Sequence, residues 1–416
     1  MKIVVIGNGI AGNAACSAIC ARSKGNDVKL TLVSDEPYPL YSPCIFTHYI
    51  SKDIKRSDVF LKSLTDYSRE GINVLLGYQV QKIDPVNKKI LLQGQELTYD
   101  RLILATGSRP SIPPTEGVQK RGVRVLKSLR DADYLFRAKG KNVAIIGSGP
   151  IGVELAIALR KRNWDVCLIE ALDWILPNVF DEKASSMVRR ILERHKIEVL
   201  TGEKVVAIKG KARVDGVLTS DTRRRETDLV VFATGMQPSS ELARGAGIEI
   251  GELGGIRTNE QMETSIKDIY ACGDCVEGKD PFMLNPKLSL LWPQTVREGT
   301  VAGCNSIGEY RSIHWMADVV NLNIFGTFVG AMGQPADGVV HPKAEVLEKE
   351  GKQYYHRLVI SEGRMVGAQF IGDYEGIGGL LPLIGRNYED IRQQIRNGEG
   401  ANPFLWYYSA GFFFFN

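Results

Sequence analysis

The chain has 416 residues, too many for one compact core, because single cores stop growing at about 250–300 residues; two or three domains are expected. Its composition is that of a globular protein, with 44% hydrophobic, 24% charged and 8% aromatic residues. The net charge of +4, from 52 basic and 48 acidic residues, argues against nucleic acid or an anionic membrane as partner, and no run of ~18 apolar residues predicts a membrane span.

In chain order, the segment Met1–Ala21 superficially resembles an export signal, but glycines at 7, 9 and 12 interrupt its apolar run in a pattern with a better explanation. Lys2-Ile-Val-Val-Ile6 reads as a central parallel strand. It leads into Gly7-Asn8-Gly9-Ile10-Ala11-Gly12 and a small-residue helix over 13–21. In such a turn Gly7 permits the tight bend, Gly9 lets the backbone approach a pyrophosphate, and Gly12 lets helix and strand pack closely. The phosphates sit on the helix N-terminus, where unpaired N–H groups and the helix dipole favour negative charge. A second strand, Val28–Val33, ends at Ser34-Asp35-Glu36, and either Asp35 or Glu36 stands where a carboxylate meets ribose hydroxyls.

The same arrangement returns downstream. Asn142–Ile146 is an apolar strand leading to Gly147-Ser148-Gly149-Pro150-Ile151-Gly152-Val153-Glu154 and a helix to about Arg160. The next strand, Asp165–Ile169, ends on Glu170, near the ~20-residue spacing of a ribose-binding acid. A carboxylate there accepts hydrogen bonds from free ribose hydroxyls and repels a 2′-phosphate. The following Ala171-Leu172-Asp173-Trp174 offers no Arg or Lys for that phosphate, so NADH is expected rather than NADPH.

Three further segments complete the pattern: Tyr99-Asp100 through Ala105-Thr106-Gly107-Ser108-Arg109-Pro110, Thr227-Asp228 through Ala233-Thr234-Gly235-Met236-Gln237-Pro238, and Thr264-Ser265 through Cys272-Gly273-Asp274. Together with the paired glycine turns, these resemble the pyridine nucleotide–disulfide oxidoreductases, FAD enzymes with two dinucleotide folds, over most of residues 1–310 in the family's order. The resemblance implies an α/β protein with two Rossmann-like domains. Residues 1–112 and 240–310 form the FAD domain, 113–239 an inserted NAD domain, and 311–416 an α+β C-terminal interface domain that contributes to a homodimer in many relatives.

It also implies site residues. Thr106, Gly107, Arg109, Gly235 and Gly273 border the cofactors, and Asp274 hydrogen-bonds the FAD ribityl chain. The segment Trp292-Pro-Gln-Thr295 starts a helix whose N-terminus faces the flavin, stabilising charge that arrives there. Glu154 lies near the flavin–nicotinamide contact, where its usual partner is a Lys; the apparent equivalent is His48. Residues 354–373 read as two strands joined by a Glu-Gly turn and resemble the third domain of the rubredoxin reductase, nitrite reductase and coenzyme A-disulfide reductase branches.

The acceptor stays open at this level. No second cysteine lies near Cys44, which excludes the branches with a close cysteine pair there. The spacing of Tyr38–Ile50 aligns Cys44 with the single redox cysteine of coenzyme A-disulfide reductases and NADH oxidases, although Ile45 replaces the usual Gly. The alternative is a small, buried, inert Cys44. Cys272-Gly-Asp-Cys275 has the form of a thiol pair, but its glycine and aspartate already belong to the FAD motif. Seven scattered cysteines fit a reducing, cytoplasmic setting, and five scattered histidines have no metal-ligand spacing, so no metal is expected.

The aromatic C-terminal run 402–416 calls for a covering surface, either in a homodimer or on another subunit. The favoured expectation is an FAD-dependent NAD(H):acceptor oxidoreductase serving an iron–sulfur or other protein partner. Similar flavin subunits occur in 2-oxoacid oxidoreductases such as phenylglyoxylate dehydrogenase. The alternatives are a self-contained Cys44-dependent coenzyme A-disulfide reductase or NADH oxidase, and a nucleotide-binding redox sensor.

Overall fold

The computed structural model describes residues 1–23, 28–279, 286–288, 290–314, 316–334, 344–372 and 377–391; the aromatic run at 402–416 lies outside them. The chain divides into two compact units. The first holds Met1–Ser111, Lys127–Arg137 and Met236–Met316, and the second holds Ile112–Leu126, Ala138–Gly235 and the chain from Ala317 onward.

In the first unit the strand Lys2–Ile6 lies between Lys29–Ser34 and Arg101–Leu104, with Ile72–Leu76 and Ile269–Ala271 at the edges of the sheet. All pairings are parallel, Val4 standing opposite Thr31 and Leu102. Ile3 through Ile6 are buried on both faces, which is why this strand reads as an unbroken apolar run rather than an alternation. The helix that follows spans Ile10–Arg22, three residues earlier than the sequence suggested, because Gly9 itself is its N-cap.

A second helix, Trp292–Ser306, lies along it. Gly299 and Gly303 make this possible: a Cβ at either would collide with the backbone of Ala11 or Ala15. Two helices therefore meet backbone to backbone beside the first glycine turn.

The strands that follow the two Ala-Thr-Gly triplets pair within this unit. Strand Ser108–Pro110 pairs antiparallel with Met236–Pro238, Arg109 facing Gln237. Thr106 Oγ1 donates to the Ser239 carbonyl at 2.6 Å, and Ser239 N donates to the Gly107 carbonyl at 2.9 Å. Exit from the first unit and return to it are thus pinned together.

Residues 127–137 fall inside the stretch assigned from sequence to the inserted domain, yet they pack in the first unit. Helix Leu129–Arg137 buries Leu129, Ala132 and Leu135. Phe136 stacks on Tyr49 at 4.6 Å between ring centroids, while Asp133 accepts from Tyr49 Oη and Arg56 Nε, both at 2.9 Å.

The second unit repeats the plan. Strand Asn142–Ile146 lies between Asp165–Ile169 and Leu229–Phe232, with Ile197–Leu200 and Val123–Val125 outermost, all parallel. Its glycine turn opens the helix Pro150–Lys161.

The C-terminal sheet of the same unit is antiparallel, in the order Val319–Ile324, Thr327–Gly333, Arg364–Ile371, Tyr355–Ser361, Glu345–Glu350. The expected hairpin is present. Its turn residues Glu362 and Gly363 have φ of 50° and 71°, the left-handed pair that a two-residue hairpin needs. Asp181 ties this sheet to the dinucleotide fold: Oδ1 caps the helix Glu182–Arg194, and Oδ2 accepts from Tyr355 Oη at 2.8 Å and from Arg357.

Among the described residues no helix is long and apolar enough to cross a membrane.

Candidate functional site

The first cradle is built from backbone. Gly7 has φ of 116°, and a Cβ there would strike the Ala105 carbonyl; a Cβ on Gly12 would strike the Gly7 carbonyl. Gly9 differs, since a Cβ there would meet nothing within 4 Å. The outer glycines let strand, turn and helix close up, and the middle one faces open space at the helix N-terminus. Gly9 makes no side-chain cap, so the first-turn N–H groups have no side-chain acceptor from the cap position. That combination fits a dinucleotide pyrophosphate.

Side chains that sequence reasoning passed over brace the turn. Asn8 Oδ1 accepts from Tyr67 Oη at 2.7 Å and from Asn13 Nδ2 at 2.9 Å, and Asn8 Nδ2 donates to the Tyr38 carbonyl at 3.0 Å. Tyr67 is far off in sequence, and no local signal points to it.

Of the two candidate ribose acids, Glu36 is engaged: its Oε2 accepts from Tyr41 Oη at 2.5 Å, and burial pushes its carboxyl above the ordinary range. Asp35 is exposed at the strand end.

Around Asp274 three segments converge. Its Oδ2 accepts from Ser108 Oγ at 2.7 Å and Lys127 Nζ at 3.2 Å, and Lys127 also donates to Ser108 Oγ at 3.0 Å. Gly273 has φ of 81°, and a Cβ there would come within 2.7 Å of the Ala11 side chain. Its N–H donates to Glu298 Oε2 at 2.7 Å. Thr295 is buried in the first turn of the helix Trp292–Ser306. Thr106 and Gly107 clamp the returning chain, and Arg109 forms an exposed ion pair with Glu241.

Cys44 sits on a short 3-10 turn, Pro43–Ile45, and is exposed. The inert reading of this residue assumed burial, and the structure removes that assumption. His48, on the helix Phe46–Ser51, pairs with Asp53 at 3.6 Å and keeps 60% of its side chain exposed. Cys272 and Cys275 are buried thiols in the FAD-type turn, both pushed up by burial, Cys275 to about 11. Such thiols are poor nucleophiles. Among the described residues no group of three or more His, Cys, Asp or Glu side chains could hold a metal.

The second cradle has the same geometry. A Cβ on Gly147 (φ 98°) would strike the Ala233 carbonyl, one on Gly152 the Gly147 carbonyl, and one on Gly149 nothing within 4 Å. Gly235 (φ 97°) turns the chain just beyond, as Gly107 (φ 69°) does in the first unit. Glu170 is buried and fixed against this turn. Its Oε2 accepts from Ser148 N at 2.8 Å and Oγ at 2.7 Å, and its Oε1 accepts from Leu172 N at 3.0 Å. No basic side chain is among these partners, so the carboxylate is held by neutral donors alone. Glu154 lies on the same helix, and burial alone lifts its carboxyl to about 7.

Two outcomes follow. A Cβ at Gly9 or Gly149 meets nothing within 4 Å, so valine there is expected to leave the fold in place and occupy the open space. Gly9→Val is expected to yield folded protein without FAD. Gly149→Val is expected to keep FAD and bind NADH about tenfold or more weakly, as read by flavin absorbance and NADH titration. Loss of FAD from Gly149→Val as well would contradict separate cradles.

Because Glu154 is raised from 4.5 to about 7, its uncharged form stabilises the fold below pH 4.5, and that contribution is lost as pH rises to about 7. Glu154→Gln should therefore melt higher than the parent at pH 7.5 and match it near pH 4.5. An unchanged difference between the two pH values would rule this out.

Comparison with known proteins agrees with this geometry. Residues 1–299 match the pyridine nucleotide-disulphide oxidoreductase family. The chain is 33% identical over 396 residues to an NADH oxidase of Methanocaldococcus jannaschii, covering 89% of this chain and 88% of that one. It is 32% identical over 386 residues to the nitrite reductase [NAD(P)H] of Bacillus subtilis, covering 92% of this chain but only 47% of the relative, so it spans about half of that protein's length. Among solved structures, an NAD-dependent persulfide reductase from A. fulgidus superposes with a TM-score of 0.87 at 26% identity, covering 94% of this chain and 79% of the other. The paired cradles and these matches lead to one conclusion: the chain belongs to the pyridine nucleotide-disulphide oxidoreductase family and is an FAD- and NAD(P)H-dependent oxidoreductase.

Proposed function

We propose that this enzyme oxidises NADH through FAD and passes the electrons to a separate protein acceptor, an iron–sulfur protein by chemistry. The observation that carries the nucleotide half is the doubled cradle: in each, the middle glycine of the turn, Gly9 or Gly149, faces open space while the outer two are closely packed. FAD, when bound, takes a hydride from the nicotinamide and can release its electrons to a one- or two-electron acceptor.

The chain's own residues divide the binding work. In the first unit the turn at Gly7–Gly12 takes the FAD pyrophosphate, Asp35 the ribose, and Asp274, held by Ser108 and Lys127, the ribityl chain. The N-terminus of the helix Trp292–Ser306 turns the positive end of its dipole to charge arriving on the flavin, while the Thr295 N–H itself closes the first helical turn on the Leu291 carbonyl. In the second unit Gly149 opens the NADH pyrophosphate site. Glu170 orients the adenine-side ribose and repels a 2′-phosphate, which favours NADH over NADPH.

Support for a protein acceptor comes from the relatives. The nitrite reductase is about twice as long, with the flavoprotein portion joined to more chain. The described residues of this chain offer no cluster site of their own. All seven cysteines are thiols, in keeping with a reducing cytoplasm. A homo- or hetero-oligomer through the C-terminal sheet is part of this reading.

A second reading is favoured by one observation, the exposure of Cys44. An accessible thiol at the position of the family's single redox cysteine suits a self-contained disulfide, persulfide or oxygen reductase, in line with the names of the oxidase and persulfide reductase relatives.

Anaerobic titration of the oxidised holoenzyme with NADH separates the two. The protein-acceptor reading predicts uptake of about two electrons per FAD and undiminished NADH-to-dye turnover in Cys44→Ser. Uptake of about four electrons, falling to about two in Cys44→Ser, would contradict it and establish the thiol enzyme.

A further inference from the structure

Glu298 is a buried carboxyl that the nucleotide-binding account does not use. It is 2% exposed, in the second turn of the helix Trp292–Ser306, where that helix meets Ile10–Arg22 backbone to backbone. Its Oε2 accepts the Gly273 N–H at 2.7 Å, so it holds the turn that presents Asp274. Its Oε1 stands 3.2 Å from Gln294 Nε2.

Among the described residues no basic side chain is bonded to it. On the 272–275 turn it faces Asp274 and the thiols of Cys272 and Cys275, and Asp274 is itself paired with Lys127. Residues 11–16 of the Ile10–Arg22 helix are alanine, glycine, asparagine and Cys16, whose thiol lies near Cys272. On its own helix the hydrogen-bond neighbour is the neutral Gln294.

A second observation fits this. Gln294 Oε1 is a buried acceptor with no hydrogen-bond partner among the described residues. A half-turn of the Gln294 amide brings that oxygen to the position facing Glu298 Oε1. There it accepts a hydrogen bond only if the carboxyl carries a proton. The protonated acid gives that oxygen a donor, whereas a carboxylate offers none and would be a negative charge buried with no cation bonded to it among the described residues.

We propose that Glu298 serves the FAD cradle as a neutral acid, and that binding of the anionic FAD pyrophosphate is coupled to a proton on this carboxyl. In that role it is a positioning residue. Oε2 holds Gly273 in its left-handed conformation, while the shared proton keeps a second negative charge away from the phosphates that the neighbouring helix N-terminus attracts. Burial, opposed by the bonds from Gly273 and Gln294, lifts the carboxyl to about 8, so the acid is the main form at neutral pH in the apoprotein. Above that value FAD must bring a proton with it, and affinity falls as pH rises.

The test is FAD binding to the deflavinated full chain between pH 6.5 and 9.5, read by quenching of flavin fluorescence. Affinity should fall about tenfold from pH 7 to pH 9, with proton uptake approaching one per FAD at pH 9, measured by calorimetry in two buffers of different ionisation enthalpy. Glu298→Gln keeps the shape and the hydrogen bond to Gly273, and should bind FAD with little change over the same range. A parent affinity that is flat with pH, or a slope that survives in Glu298→Gln, would overturn the proposal. Should the variant fail to fold, proton uptake by the parent decides alone: one proton supports the coupling and none refutes it.

Discussion

The structure depends on a contact that only glycine allows. The Gly7 and Gly12 positions press backbone against backbone, Gly7 on the Ala105 carbonyl and Gly12 on Gly7, with Gly147 and Gly152 doing the same against Ala233 and Gly147. This close approach draws each helix down onto its parallel sheet so that the helix N-terminus opens beside the strand ends. The empty space at Gly9 and Gly149 follows from it, and so does the attraction for phosphate. Any side chain at the tight positions would force strand, turn or helix apart, whereas one at the middle positions would leave the fold intact and fill the ligand's place.

One plan used twice is made to serve two ligands by what surrounds it. In the first unit, helix Trp292–Ser306 closes over the glycine-turn helix through Gly299 and Gly303, bringing Glu298, Gly273 and Asp274 to the same floor. The excursion of residues 127–137 back into this unit adds Lys127 to Asp274 and Ser108. The result is a cradle walled by several separate segments of the chain. In the second unit Glu170 is locked by Ser148 and Leu172 at the turn, with no covering helix of the Trp292–Ser306 kind described there, an arrangement suited to a nucleotide that comes and goes.

What could be read from the sequence was whatever is fixed by near neighbours. Both glycine turns, their strands, Glu170 and the Glu362-Gly363 hairpin depend on backbone conformations set within a few residues, and they stand where the spacing placed them. Contacts that join distant segments left no local trace. Tyr67 bracing Asn8, Lys127 meeting Asp274 and Glu298 holding Gly273 all span long sequence separations. The same reason explains why 127–137 could not be separated from the inserted stretch: its helix is amphipathic, and only the docking of Phe136 and Asp133 on Tyr49 and Arg56 shows which core it joins. For Cys44 the sequence leaves a redox-active and a buried, inert reading open; its exposure goes with the short turn Pro43–Ile45, whose three residues bury no side chain.

The central claim is that a nicotinamide cradle selective for NADH feeds a flavin cradle in the same chain. Anaerobic rapid mixing of the FAD-loaded enzyme with NADH and, separately, with NADPH tests this directly through the visible flavin absorbance. The account predicts bleaching that saturates with NADH, is slowed when the transferred hydrogen at nicotinamide C4 is deuterium, and is far weaker with NADPH. A flavin that NADH leaves oxidised, or that NADPH reduces equally well, would contradict the roles given to Gly149 and Glu170.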